Sequence, residues 1–181
     1  MQEIASIAEL ESLYGAARPD ALAKVARHLT PAYRQWISQA RFVVLTTVGP
    51  DGTDASPRGD SAAVVRIAGD TTLLLPDWRG NNRLDSLRNI VTDGRASLLF
   101  MVPGSNNVVR VNGTAVVTAD AELTQSFMHD GKVPRCVIVV TVREVYFQFA
   151  KALRLSRLWD SADESVRVPT EEDFVRESTQ F

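Results

Sequence analysis

The run Cys136–Phe149, CVIVVTVREVYFQF, is rich in β-branched and aromatic residues, holds no glycine or proline, and alternates polar with apolar side chains in its second half. A chain carrying such a segment is committed to building a sheet around it, because period-two alternation sends one row of side chains to a core and the other outward. Five further runs of this kind precede it: Phe42–Val48, Ala63–Ile67, Thr71–Leu75, Ala96–Val102 and Val108–Thr118. Turn formers separate them at Gly49-Pro50-Asp51-Gly52, Ala68-Gly69-Asp70 and Pro103-Gly104-Ser105-Asn106-Asn107. Helical signals are peripheral. Leu22, Val25, Ala26 and Leu29 form a helical stripe after Pro19-Asp20. Thr30-Pro31 restarts a helix with Tyr33, Trp36, Ile37 and Ala40 on its apolar face. Shorter helical pieces are predicted around Leu84–Val91, Ala121–Met128 and Ala150–Leu155. The expected fold is mainly β: six or seven antiparallel strands in a closed or nearly closed barrel with peripheral helices, since closure removes exposed edges.

At 181 residues the chain fits a single domain, 1–181, with a helical N-terminal extension (1–40) and an acidic C-terminal tail (160–181). The formal charge of −2 gives no electrostatic footprint for nucleic acid. It conceals a bias, with 17 arginines against 3 lysines, and a cationic body from 41 to 159 masked by the acidic tail. No stretch approaches the roughly 20 apolar residues of a membrane helix, and MQEIASIAEL lacks a signal-peptide pattern, so a cytoplasmic protein without a membrane is expected. One cysteine, Cys136, excludes an intramolecular disulfide framework, and with only His28 and His129 no metal site is expected. Cys136 opens an apolar strand and reads as a buried, inert thiol.

Three polar clusters interrupt the strands. Ser56-Pro57-Arg58-Gly59-Asp60 reads as a turn with an Arg58–Asp60 surface pair. Pro76-Asp77-Trp78-Arg79-Gly80-Asn81-Asn82-Arg83 follows a strand and precedes a helix. It is either an anion site of backbone N–H groups and arginines, with Gly80 allowing close approach, or a loop capped by Asn82. Lys151 to Trp159 supplies cations that either serve a helix C-terminus or close a phosphate or flavin pocket. Arg110 and Asn112 share one strand face and read as barrel rim. No dinucleotide or triphosphate loop and no acid–base–nucleophile set is visible, so catalytic residues are unassigned and an organic cofactor is the expected carrier of any chemistry.

The segments Asp54-Ala55-Ser56-Pro57-Arg58-Gly59-Asp60, Leu75 to Ser86 (LPDWRGNNRLDS) and Tyr146-Phe147-Gln148-Phe149-Ala150-Lys151-Ala152-Leu153 resemble the pyridoxamine 5'-phosphate oxidase-like FMN-binding split-barrel proteins. Within that superfamily they are most similar to a bacterial branch of FMN-dependent enzymes without an assigned substrate. The resemblance spans roughly residues 30–160, and Arg79-Gly80-Asn81-Asn82-Arg83 is its most specific part. It implies a split barrel and a homodimer with FMN at the subunit interface. It also implies a site in which Arg58 and the Arg79–Arg83 loop, with Asn81 and Asn82, bind the phosphate and ribityl chain. Ser56, Asp60, Pro76 and Asp77 would line that site, and Lys151, Arg157 and Trp159 would close it. The family's C-terminal Arg-x-His substrate motif is missing, because no histidine follows Trp159, which speaks against pyridoxamine phosphate as substrate. Trp78 and Phe149 stand where this branch often shows other residues. The implied activity is hydride transfer between a small substrate or NAD(P)H and flavin N5. A non-catalytic flavin-binding or sensor protein, or a deazaflavin-dependent reductase of the same fold, is the alternative.

Overall fold

The computed structural model describes residues 3–160 and 168–178, so parts of the acidic tail (161–167 and 179–181) lie outside the described residues. The chain divides into two compact units, Met1–Ala150 and Lys151–Phe181. The first begins with α1 (Ile7–Tyr14), α2 (Pro19–Ala23) and α3 (Pro31–Gln39). It continues with strands β1 (Phe42–Gly49), β2 (Gly52–Gly59), β3 (Arg66–Ile67) and β4 (Thr72–Asp77), then α4 (Asp85–Thr92). Strands β5 (Arg95–Met101) and β6 (Asn107–Thr118), helix α5 (Ala121–Gln125) and strand β7 (Cys136–Phe149) complete it. The second unit holds α6 (Lys151–Leu155) and α7 (Glu171–Ser178). Among the described residues no helix is long and apolar enough to cross a membrane.

All seven strands form one antiparallel sheet in the order β2-β1-β5-β6-β7-β4-β3. Alternation decides its inner face: Val43, Leu45 and Thr47 of β1 are fully buried, as are Leu98 and Phe100 of β5. Val43, Leu45, Leu98 and Phe100 share one core with Leu73 and Leu75 of β4, which stands near the other end of the strand order, so the sheet curls around that core. The curl does not close into a continuous ladder, because β2 and β3 remain edges. This is the split barrel. Pro57 sits on β2, where the strand has a partner on one side only and a missing N–H is tolerated.

The pairing of β6 with β7 slips between Asn112 and Gly113: Gly113 faces Val142 while Asn112 faces Glu144. Arg143 is therefore the extra residue of a bulge, and the change of parity lets Val140, Val142 and Val145 all point inward. A Cβ on Gly113 would lie 2.0 Å from the Thr141 carbonyl oxygen, so the bulge demands glycine by close approach of backbone to backbone.

Three expectations about helices and turns change, and the strand read at Ala63–Ile67 shortens to Arg66–Ile67. The stripe Leu22–Leu29 does not make one helix. α2 stops at Ala23, Ala26 forms a β-bridge with Val145, and Leu29 enters the core, so tertiary pairing overrides helical periodicity. The segment Gly52–Gly59 is a full strand where the Pro and Gly content suggests a turn, because pairing along all of β1 outweighs local preference. The third change, in the cap of α4, concerns the site. Elsewhere the reading of α3 agrees, with Pro31 in its first turn and Ile37 and Ala40 fully buried.

Candidate functional site

Where the barrel fails to close, β2 and the end of β4 approach each other across the seam. Arg58, on edge strand β2, donates from Nη1 to Asp77 Oδ2 at the end of β4. The pair is largely buried, with side-chain exposures of 23% and 11%. The expected surface pair of Arg58 with Asp60 does not form; Asp60 Oδ1 instead accepts from Ser61 Oγ and the Ala62 N–H. Arg58 Nε is buried with no hydrogen-bond partner. An unsatisfied buried donor costs about 1–3 kcal/mol, and in a native fold it calls for an explanation.

Beside this pair lies a cleft of about 370 Å³, within the roughly 300–1,000 Å³ range of small-molecule sites. Ser56, Arg58, Asp77, Arg79, Asn81, Asn82 and Arg83 line it. Asp60 and Pro76 line a neighbouring recess of about 220 Å³ that shares Arg58 and Trp78 with the cleft. Lys151, Arg157 and Trp159 belong to the second compact unit. There Lys151 opens α6, and Arg157 donates from Nε to Asp160 at 2.6 Å.

The loop from β4 to α4 is shaped by its own backbone. Asn82 and Leu84 both have positive φ, 61° and 64°. Asparagine visits that region readily, but a leucine there costs on the order of 1 kcal/mol. Leu84, and not Asn82, is the N-cap of α4, and it offers no side-chain oxygen to the first-turn N–H groups. Asn81 Oδ1 accepts from the Arg83 N–H at 3.1 Å, so the asparagines shape the loop and do not cap the helix. Helix α4 is anchored from beneath: Ser86 Oγ donates to Asp54 Oδ2 at 2.6 Å, and Asn89 Nδ2 donates to the buried Thr47 Oγ1 at 3.1 Å. The Arg83 side chain, held by Asp85, and the exposed Arg79 stand on a loop tied at both ends to the sheet.

Four cleft residues lie outside the polar clusters: Leu84 and Leu87 at the start of α4, and Arg135 and Cys136 at the start of β7. Arg135 and Cys136 reach the cleft because the β4–β7 ladder sets Cys136 opposite Asp77, and the Arg135 N–H donates to the Asp77 carbonyl at 3.0 Å. No local signal connects positions so far apart in the chain. Four arginines thus meet one carboxylate, Asp77, in the lining. Such a donor set suits a phosphate-bearing group, since guanidinium forks hold phosphate oxygens in pairs. Leu84, Leu87 and Trp78 add apolar surface. Among the described residues no group of three or more His, Cys, Asp or Glu side chains is placed to hold a metal ion.

Cys136 is buried, and burial raises its thiol above the ordinary cysteine value, with Asp77 adding to the rise and Arg58 opposing it. The neutral thiol is therefore the form present at physiological pH. Because the folded state holds that proton more tightly than the unfolded chain, the associated stability is present below the unfolded-chain value and is lost as pH rises through the folded one. At pH 8 a disulfide reagent should modify folded protein at less than about a tenth of the rate seen in urea. Equal rates in the two states would place the thiol in solvent.

A family profile described as pyridoxamine 5'-phosphate oxidase matches residues 29–149. Similar solved structures include a candidate pyridoxamine 5'-phosphate oxidase of Lactobacillus delbrueckii, at TM-score 0.53 and 21% identity over 67% of this chain and 95% of that one. HupZ of Group A Streptococcus matches at TM-score 0.52 and 18% identity, covering 67% of this chain and 94% of its own. At these identities the likeness is one of fold. A search of curated proteins found no match.

Proposed function

This chain belongs to the pyridoxamine 5'-phosphate oxidase family, and from that premise we propose that it is an FMN-binding oxidoreductase whose cofactor lies in the cleft at the barrel seam. The observation that supports this most directly is the buried Arg58 Nε without a partner, on a side chain that lines the cleft together with Arg79, Arg83 and Arg135. An oxyanion there would satisfy the donor and would be held by charge-assisted bonds. Bound in this cleft, FMN would supply hydride acceptance and donation at N5, from or to a small substrate or NAD(P)H.

The protein's own part is binding and orientation. Arg58, Arg79 and Arg83 hold the phosphate end, and Ser56, Asn81 and Asn82 offer neutral hydrogen bonds along the ribityl chain. Asp60 and Pro76 border the adjoining recess. Trp78, Leu84 and Leu87 supply apolar surface that keeps water from the ring. The proposed form is a homodimer, in which Lys151, Arg157 and Trp159 of the partner copy close the site, and the proposed location is the cytoplasm.

Purified protein is expected to be yellow and to release FMN on denaturation. Colourless protein that leaves added FMN fluorescence unchanged in a titration rejects the reading, and mass spectrometry of the released cofactor separates FMN from a deazaflavin. Stopped-flow mixing with NADH and NADPH tests turnover: bleaching of the flavin supports the oxidoreductase, while no reduction leaves a flavin-binding protein. Replacing Arg83 by alanine should weaken FMN binding by about 1–3 kcal/mol. An unchanged affinity would reduce Arg83 to a loop residue paired with Asp85.

A further inference from the structure

Asp77 is an odd member of an anion site. Its side chain is only 11% exposed, it carries the charge a phosphate would repel, and it faces a cleft lined by four arginines. Its bond to Arg58 explains its presence. Asp77 ends β4 and Arg58 stands on edge strand β2, so the bond spans the seam where no ladder joins the two strands. It engages Nη1, the guanidinium nitrogen that lies away from Nε. The opposite edge of the guanidinium, Nε with Nη2, is the one that grips an oxyanion side-on through two parallel N–H groups. On that edge the buried Nε has no protein partner.

We propose that Asp77 is a positioning residue for the oxyanion site: by holding Nη1 across the seam, it fixes the Arg58 side chain so that its Nε–Nη2 edge receives a phosphate monoester. Arginine loses considerable rotamer freedom when ordered, and a buried partner that orders it beforehand removes that loss from the binding step. The repulsion between Asp77 and the incoming phosphate is offset by Arg79, Arg83 and Arg135 around the same cleft. The inference rests on the FMN reading above and extends it to a residue that need not touch the ligand.

The test compares FMN with riboflavin, which has the same ring and ribityl chain but no phosphate. Dissociation constants for both are measured by flavin fluorescence with wild type, Asp77→Asn, Arg58→Lys and the double variant. Asparagine keeps the size of Asp77 without its charge. Lysine keeps the charge of Arg58 without its fork. The expected result is that Asp77→Asn loses about tenfold in FMN affinity, the size of one charge-assisted contact, and nothing toward riboflavin. In the Arg58→Lys background the same change should cost less than about twofold, because residues acting through one another are not additive. Inorganic phosphate should compete with FMN more weakly in Asp77→Asn than in wild type.

Equal or tighter FMN binding by Asp77→Asn overturns the proposal and makes Asp77 a competitor for Arg58. Equal losses toward FMN and riboflavin overturn it in favour of a merely structural seam contact, and an undiminished loss in the Arg58→Lys background shows that Asp77 does not act through Arg58. Wild type that binds neither flavin rejects the FMN reading and this inference together, whereas wild-type binding with no effect of Asp77→Asn rejects this inference alone.

Discussion

Arg58→Ala is expected to lower the stability of the whole barrel as well as its affinity for flavin. Truncation leaves the Asp77 carboxylate buried beside a hole, and breaking a buried pair from one side costs about 3–5 kcal/mol. Against this, the variant no longer buries an unsatisfied Nε, which returns about 1 kcal/mol. The net loss should be about 2–4 kcal/mol, or roughly 4–16 °C in Tm for a chain of this size. The double replacement Arg58→Met with Asp77→Leu fills the same space without charge. It should recover stability to within about 1 kcal/mol of wild type while binding no flavin phosphate. Thermal unfolding of the three proteins decides the matter: an Arg58→Ala variant that melts with wild type would show that Asp77 is solvated without its partner.

The second large effect concerns a residue outside the cleft lining. Gly113→Ala puts a Cβ 2.0 Å from the Thr141 carbonyl oxygen and 3.3 Å from the Arg143 nitrogen, and neither is a flexible side chain that could swing aside. Relief requires separating β6 from β7 at the bulge, within the longest ladder of the sheet and above the buried Val142 and Val145. Ordinary overpacking costs about 1–3 kcal/mol. A clash with main chain on a central strand pair should exceed that and reach about 4 kcal/mol or more, enough to deplete soluble protein. Gly80→Ala is the control. A Cβ there meets nothing within 4 Å, and urea unfolding should move by less than about 0.5 kcal/mol. If Gly113→Ala unfolds at the wild-type urea midpoint, the bulge is not as tightly closed as described.

Local pattern carried most of the fold. β7 is found at Cys136–Phe149, the bounds read from β-branched content alone, and β1 and β5 lie within a residue of their expected ends. Alternation in the second half of β7 was the weaker guide: Val145 is buried, but Phe147 and Phe149 are exposed. The failures are equally local. Ala26 lies on a helical stripe but pairs with Val145, and Pro57 looks like a turn residue but pairs with Val44. In both cases a backbone partner more than ten residues away supplies hydrogen bonds that local propensity cannot foresee.

The candidate site divides in the same way. Arg79, Asn81, Asn82 and Arg83 are neighbours in sequence, and one loop delivers them together to the cleft. Asp77 and Arg58 each stand out in their own cluster, but their union across the seam depends on how far the sheet curls. Arg135 and Cys136 come to the cleft only through the register of β4 on β7. The sequence by itself determined a cationic loop between β4 and α4 and every strand of the sheet except β2, because these follow from β-branched content and turn chemistry over a few residues. Only the tertiary structure decided that the sheet stays open between β2 and β3, that an ion pair spans the gap, and that one guanidinium edge is left buried and unpartnered there. Those features depend on contacts between distant segments, whose geometry is set by the summed twist of seven strands and by a single bulge at Gly113.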